Sequence, residues 1–283
     1  MLRFLDARTG EPVPAAPARR GLTRIEAYAS GLDPTALRVL LTADLLVRAL
    51  ELTGTPVWTI LTAPHRHAEL RTVATTLSIR PFEDGRDLAS GLGEAQAIHV
   101  TSDPEHVLNA GPVMRVAPVE WTADPTGARA PGSTSAGAGG VGGVGGASGA
   151  GGGAGDAGES AVHPALPVLL TDPAALRLAL LSVPRGDTVR LDCVVLGEAA
   201  GRLARVRRAV AGWARQPSRP VPEGVRTRLR SAWEDDLDLP GVLDVLRSVE
   251  TDPDISDGAR FETYVYADRL LALDLARDLG SLA

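Results

Sequence analysis

One stretch limits the fold more than any other. "RIEAYA" (Arg24 to Ala29), "LDPTALRVLLTADLLVRALE" (Leu32 to Glu51) and "TPVWTIL" (Thr55 to Leu61) read as strand, helix and strand. A strand, a crossover helix and a second strand build a parallel sheet. The helix has a hard start. Asp33 is a good N-cap, and Pro34 fits the first turn, where a missing N–H costs nothing. In sheets of this type the first helix N-terminus commonly receives phosphate. Here a carboxylate stands at that end.

The strand expectations are Arg24–Ala29, Val57–Leu61, Ala95–Thr101 and Val113–Trp121, with helices at Pro34–Thr53 and His65–Leu77. The strands are largely apolar runs, as in a parallel sheet covered on both faces. The fold class is therefore α/β, a Rossmann-like parallel sheet with helices on both faces, followed by a C-terminal α-helical segment. Residues 1–124 form the α/β half, 125–163 a linker, and 164–283 the end of the α/β domain with the helical segment. Between Gly132 and Gly158, 14 of 27 residues are glycine. Such a run cannot bury enough surface to offset its ordering entropy, so a flexible linker is expected.

Beyond the linker, "VLL" (Val168 to Leu170) reads as a last strand, and Asp172 and Pro173 open a helix. Another helix, Glu198–Gln216, carries Leu203, Val206, Val210 and Trp213 at helical spacing, with Arg202, Arg205 and Arg208 off that stripe. A third begins near Leu239, and a fourth spans Tyr264–Leu279. Charge is uneven. Residues 177–230 hold twelve arginines and four acids, while 231–283 hold four arginines and thirteen acids. Either the two faces attract each other or are simply solvated, or the basic stretch around Arg202, Arg205 and Arg208 meets a protein or RNA partner.

Composition excludes several chemistries. All 29 basic residues are arginine, so no Schiff-base lysine or P-loop lysine exists in these 283 residues. A single cysteine, Cys193, rules out an intrachain disulfide and a cysteine-based zinc cage. It follows "VRLD" in an apolar setting and reads as structural. No apolar run is long enough to span a bilayer, and "MLRFLDARTG" lacks a signal-peptide core, so a cytoplasmic protein without membrane contact is expected. Two weaker groupings remain. His65, His67 and Glu69 could share one side of a loop and hold a metal, although a surface helix start explains them too. "HVTSDPEH" places His99, Asp103, Glu105 and His106 at the C-terminal edge of a strand, where open α/β sheets bind ligands.

The order of these pieces resembles class I cysteinyl-tRNA synthetases and the mycothiol-type cysteine ligases that share their architecture. "LRFLDARTGEPVP" resembles the segment before their first strand. "RIEAYASGLDPTALRVLLTADLLVRALELTG" resembles that strand, the signature loop and the following helix, with Asp44, Leu45, Leu46, Arg48, Leu50 and Glu51 as the shared end. "TDPAALRLALLS" and "WEDDLDLPGVLDVLR" resemble later helical pieces. The resemblance implies ATP-dependent activation of cysteine, but the chemistry-bearing residues depart from it. Counting back from Glu51, the His-Ile-Gly-His signature falls on Asp33, Pro34, Thr35 and Ala36. The loop "YASGL" has no zinc-ligand cysteine, and a chain without lysine cannot hold the second signature, Lys-Met-Ser-Lys-Ser. The resemblance thus implies a degenerate member. Its nucleotide site would be vestigial at Asp33, Thr35 and Arg38, with no catalytic residue, no metal, no expected cofactor and at best weak ATP binding. Its role would be binding or regulatory. A surviving ATP-dependent ligase or nucleotide-binding enzyme with rebuilt chemistry, and an unrelated α/β domain, stay open beside it.

Overall fold

The computed structural model describes residues 1–16, 21–84, 94–107, 109–122 and 162–280. The glycine-rich run falls outside them. A short antiparallel hairpin, β1 (Arg3–Leu5) and β2 (Pro12–Pro14), opens the chain. Then come β3 (Leu22–Tyr28), α1 (Pro34–Leu52), β4 (Val57–Thr62), α2 (His67–Thr76), β5 (Glu83–Asp84), β6 (Glu94–Thr101), β7 (Val113–Arg115) and β8 (Val119–Trp121). After the glycine-rich run stand α3 (Leu166–Leu169), α4 (Pro173–Leu181), β9 (Val189–Leu191), α5 (Cys193–Trp213), α6 (Glu223–Glu234), α7 (Leu239–Thr251) and α8 (Asp257–Leu271).

Among the described residues the main sheet has five strands in the order β5-β4-β3-β6-β7, every pair parallel. With helices flanking it and a helical segment after it, the fold is the α/β Rossmann-like one that the sequence implies. α1 packs on β3, β4 and β6 and is buried on nearly every side, so it is mostly Leu, Val and Ala, with Arg38, Thr42 and Asp44 as buried polar exceptions. Its ends follow from local chemistry. Asp33 Oδ1 accepts the Ala36 N–H at 2.9 Å, which satisfies one of the donors a helix start leaves open. Asp172 and Asp192 do the same for α4 and α5, accepting from Ala175 and Val195.

The chain on either side of the glycine-rich run contributes to one apolar core, from Leu2 through α1 to Leu275. β8 pairs with β9 across that gap in sequence. Four further expectations change in detail. Val113–Trp121 is not one strand. Pro118 has no N–H for a ladder, and there the chain leaves β6 and takes β9 as partner. Val168–Leu170 is not a strand. Pro167 starts a helical turn in which Leu166 and Leu169, three apart, turn inward. The last helix starts earlier and stops at Ala272, which adopts a left-handed φ of 48°, while the Asp268 carboxylate takes the Leu273 and Leu275 N–H groups. Cys193 is exposed at the start of α5 rather than set in an apolar environment. No helix among the described residues is long and apolar enough to cross a membrane.

Candidate functional site

The sheet order reverses direction between β3 and β6. Open α/β sheets take ligands outside the carboxyl ends of the strands at such a point. In the register Glu26 lies beside His99, and Tyr28 beside Thr62 on one side and Thr101 on the other. Alternation then puts Glu26, Tyr28, Thr62 and His99 on one face, opposite the Ile25, Ala27, Ile98 and Val100 face that joins the main core.

These four side chains form a network. His99 is fully buried, with Nε2 3.0 Å from the Ala110 carbonyl and Nδ1 3.3 Å from the Tyr28 hydroxyl and 3.5 Å from Glu26 Oε2. Thr62 donates to Glu26 Oε1 at 2.8 Å, and Asn109 Nδ2 donates to the Tyr28 oxygen at 3.1 Å. A carbonyl only accepts, so Nε2 carries a proton. In the neutral ring Nδ1 then accepts from Tyr28. In the imidazolium it donates toward Glu26. Burial pushes the Glu26 carboxyl upward, but hydrogen bonds from His99, Thr62 and Tyr28 outweigh this and leave it below its ordinary 4.5. Burial, and then the Glu26 charge, push the Tyr28 hydroxyl up to about 12. The arrangement holds one fixed negative charge, one neutral hydroxyl and a buried imidazole in contact with both. Tyr28 and Thr62 are half-buried and Asn109 is exposed, so these can be reached from the carboxyl end of the sheet.

A loop closes over His99, and the first residues of the chain hold it. Gly111 has a φ of +125°, and a Cβ there would stand 2.5 Å from the Ala97 carbonyl and 3.3 Å from His99 Nε2. Only glycine lets the backbone pass this close. The Arg8 guanidinium donates to the carbonyls of Val107, Asn109 and Gly111, and Asp6 Oδ1 accepts the Val113 N–H at 2.8 Å. Sequence reading did not find Glu26, Tyr28, Asp6, Arg8, Asn109 or Gly111. Period-two placement of Glu26 and Tyr28 within an apolar strand was the one available signal.

The residues singled out by sequence are dispersed. Asp33 caps α1. The Thr35 hydroxyl accepts the Val119 N–H at 3.0 Å. Arg38 is buried and donates to the carbonyls of Ala117, Asp187 and Pro184 at 2.6–2.8 Å, and to Val183 at 3.4 Å. Burial lowers its pKa to about 10. Of the sheet-edge set, His99 is inside, while Asp103 and Glu105 are exposed on a turn beyond β6. The His106 side chain lies outside the described residues. His67 turns back toward the Leu61 carbonyl, Arg66 pairs with Glu69 at 3.0 Å, and His65 is exposed. Among the described residues no three His, Cys, Asp or Glu side chains converge as a metal site. On α5, Arg202 and Arg205 line a cavity, whereas Arg208 bonds the Ala204 carbonyl of its own helix.

No protein-family model matches the chain. Over 72 residues it is 46% identical to the L-cysteine:1D-myo-inositol 2-amino-2-deoxy-alpha-D-glucopyranoside ligase of Streptomyces griseus. That stretch is 25% of this chain and 17% of the ligase, so the match spans about a sixth of the relative's length. The similarity supports a partial relationship to class I synthetase-like cysteine ligases.

Proposed function

We propose that the chain is a binding or regulatory relative of the class I cysteine-ligase type that does not activate cysteine with ATP. One observation carries this reading: the phosphate-facing end of α1 is closed by its own side chains. Asp33 takes one of the free N–H groups, that of Ala36, and its charge opposes a phosphate. Two unit charges about 4 Å apart repel by roughly 4 kcal/mol at an effective dielectric near 20. The helix dipole returns only about 0.3–1 kcal/mol. Thr35 and Arg38 are committed to backbone groups. The polar sheet edge at the β3–β6 reversal remains. The fixed Glu26 charge beside the Tyr28 hydroxyl and the Asn109 amide suits a small polar ligand with an ammonium group, such as an amino acid.

The test is cysteine-dependent pyrophosphate exchange with ATP, run on wild type and Asp33→Asn. Wild type should not exceed the blank without protein. Asp33→Asn should bind ATP more tightly than wild type, because the opposing charge is gone. Exchange by the wild type would replace this reading with that of an active ligase. The acid–base set Glu26, Tyr28 and His99 is the observation that favours that second reading.

A further inference from the structure

The helical segment encloses a cavity apart from the polar edge of the sheet. It measures about 330 Å³ and lies between α4, α5, α7 and α8. Its walls are aliphatic: Leu203 and Val206 of α5, Leu243 and Leu246 of α7, Leu271 of α8, and Leu275 beyond it. Ligand pockets are commonly apolar, with a few polar groups that orient the ligand. Here the polar groups are mostly cationic. Arg202 and Arg205 of α5 and Arg247 of α7 line the same space.

We infer that this cavity binds a small amphipathic carboxylate, an apolar body seated among the leucines with its anionic head between Arg202 and Arg247. Three observations carry it. First, among the described residues neither Arg202 nor Arg205 has a hydrogen-bond or ion-pair partner, while Arg207 on the same helix donates to the Leu273 and Asp274 carbonyls. Second, Arg202 is half-buried and faces the like charge of Arg247. Burial, and then that repulsion, lower its pKa despite the opposing pull of Tyr264, Asp244 and Glu250, and an anion between the two guanidinium groups would relieve both. Third, the other polar groups argue against alternative heads. The Tyr264 hydroxyl already donates to the Leu246 carbonyl at 3.0 Å. Glu250 on the lining and Asp244, paired with Arg247 at 2.7 Å, leave a modest net positive charge. That balance suits a single negative charge better than a phosphate dianion. The aliphatic walls suit a hydrocarbon body better than a nucleic-acid backbone.

Decanoate is a suitable probe, with decanol as the neutral control and a short single-stranded RNA as the competing chemistry, each titrated into the full chain by calorimetry at low salt. Decanoate should bind with one site per chain, about tenfold tighter than decanol, as expected for a charge-assisted hydrogen bond. Arg202→Gln should remove that advantage and leave decanol unchanged. Arg247→Gln, on an exposed position of α7, gives the same readout if the α5 variant does not fold. Val206→Trp should fill the cavity and abolish both. Equal binding of decanol and decanoate, no decanoate binding, or decanoate binding that neither arginine variant weakens would overturn the assignment. RNA binding that depends on Arg202 without decanoate binding would overturn it in favour of a phosphate-reading surface.

Discussion

Asp44 is 2% exposed and meets three guanidinium groups. Arg48 Nε donates to it at 2.7 Å, Arg80 Nε at 3.2 Å and Arg177 Nη2 at 3.3 Å. Arg177, itself buried, also donates to the Leu271 and Leu77 carbonyls. One carboxylate therefore ties α1, the approach to β5, α4 and the end of α8. Removing one partner of a buried ion pair leaves uncompensated charge, so Asp44→Ala should cost about 3–5 kcal/mol in urea denaturation. A loss under 1 kcal/mol would mean the hub is not needed. Asp44, Arg48 and Glu51 were legible as a shared run, but their purpose was not. The partners Arg80 and Arg177 lie 36 and 133 residues away, and no local pattern connects them. The site network makes its own pH prediction. The folded-state pKa of Glu26 lies below its ordinary 4.5, so its stabilisation is complete above that pH and is lost as pH falls through the lowered value. Tyr28 is raised from 10 to about 12, so its contribution is complete below pH 10 and fades as pH rises toward 12. Stability measured against pH should therefore differ between wild type and Glu26→Gln at neutrality and converge in acid. The difference from Tyr28→Phe should shrink only in alkali. A Glu26→Gln difference that persists unchanged to pH 3 would sink the charge assignment.

Secondary elements were legible where one local rule decides them. The caps at Asp33 and Asp172, the apolar run of α1 and the strands β3, β4 and β6 all follow from short-range chemistry. The misses have physical causes. α5 begins at Cys193, because Asp192 caps it, yet the β-branched Val194 and Val195 look like strand residues. α6 buries Val225, Leu229 and Trp233 at four-residue spacing, but the arginines between them disguise that stripe as a plain basic stretch. The seam of β8 and β9 could not be read, because a parallel pair across a long insertion leaves no local trace. Arg38 fastens this seam. Its guanidinium bridges the Ala117, Pro184 and Asp187 carbonyls, a fork that an ammonium cannot span. Arg38→Lys should cost about 2 kcal/mol and expose the Ala117 and Val189 amides, which bond the Arg185 and Pro118 carbonyls, to faster hydrogen exchange. Unchanged exchange at those two amides would mean that the strands hold without the arginine.

The whole molecule turns on how the two sides of the glycine-rich run depend on each other. They share a core, and α1 carries both arginine fastenings, Arg38 to the loop before β9 and Asp44 to Arg177. The chain is anchored close to both ends of the run. Thr122 donates to the Leu191 carbonyl at 2.9 Å, and the His163 N–H to the Leu32 carbonyl at 3.1 Å. These contacts all lie outside residues 132–158, and the closure cost of a connection changes by only about 0.6 kcal/mol per twofold change in length. Replacing 132–158 with a short Gly/Ser loop should leave one cooperative transition, with Tm moved by no more than a few degrees. Chains 1–124 and 164–283 produced separately should each lack that transition, because each exposes apolar surface and buried charge that the other covers. Mixing them should restore it. A large drop in Tm for the shortened chain would mean that the run packs on the core. Independent melting of either half would mean that the shared core is not what holds the two together.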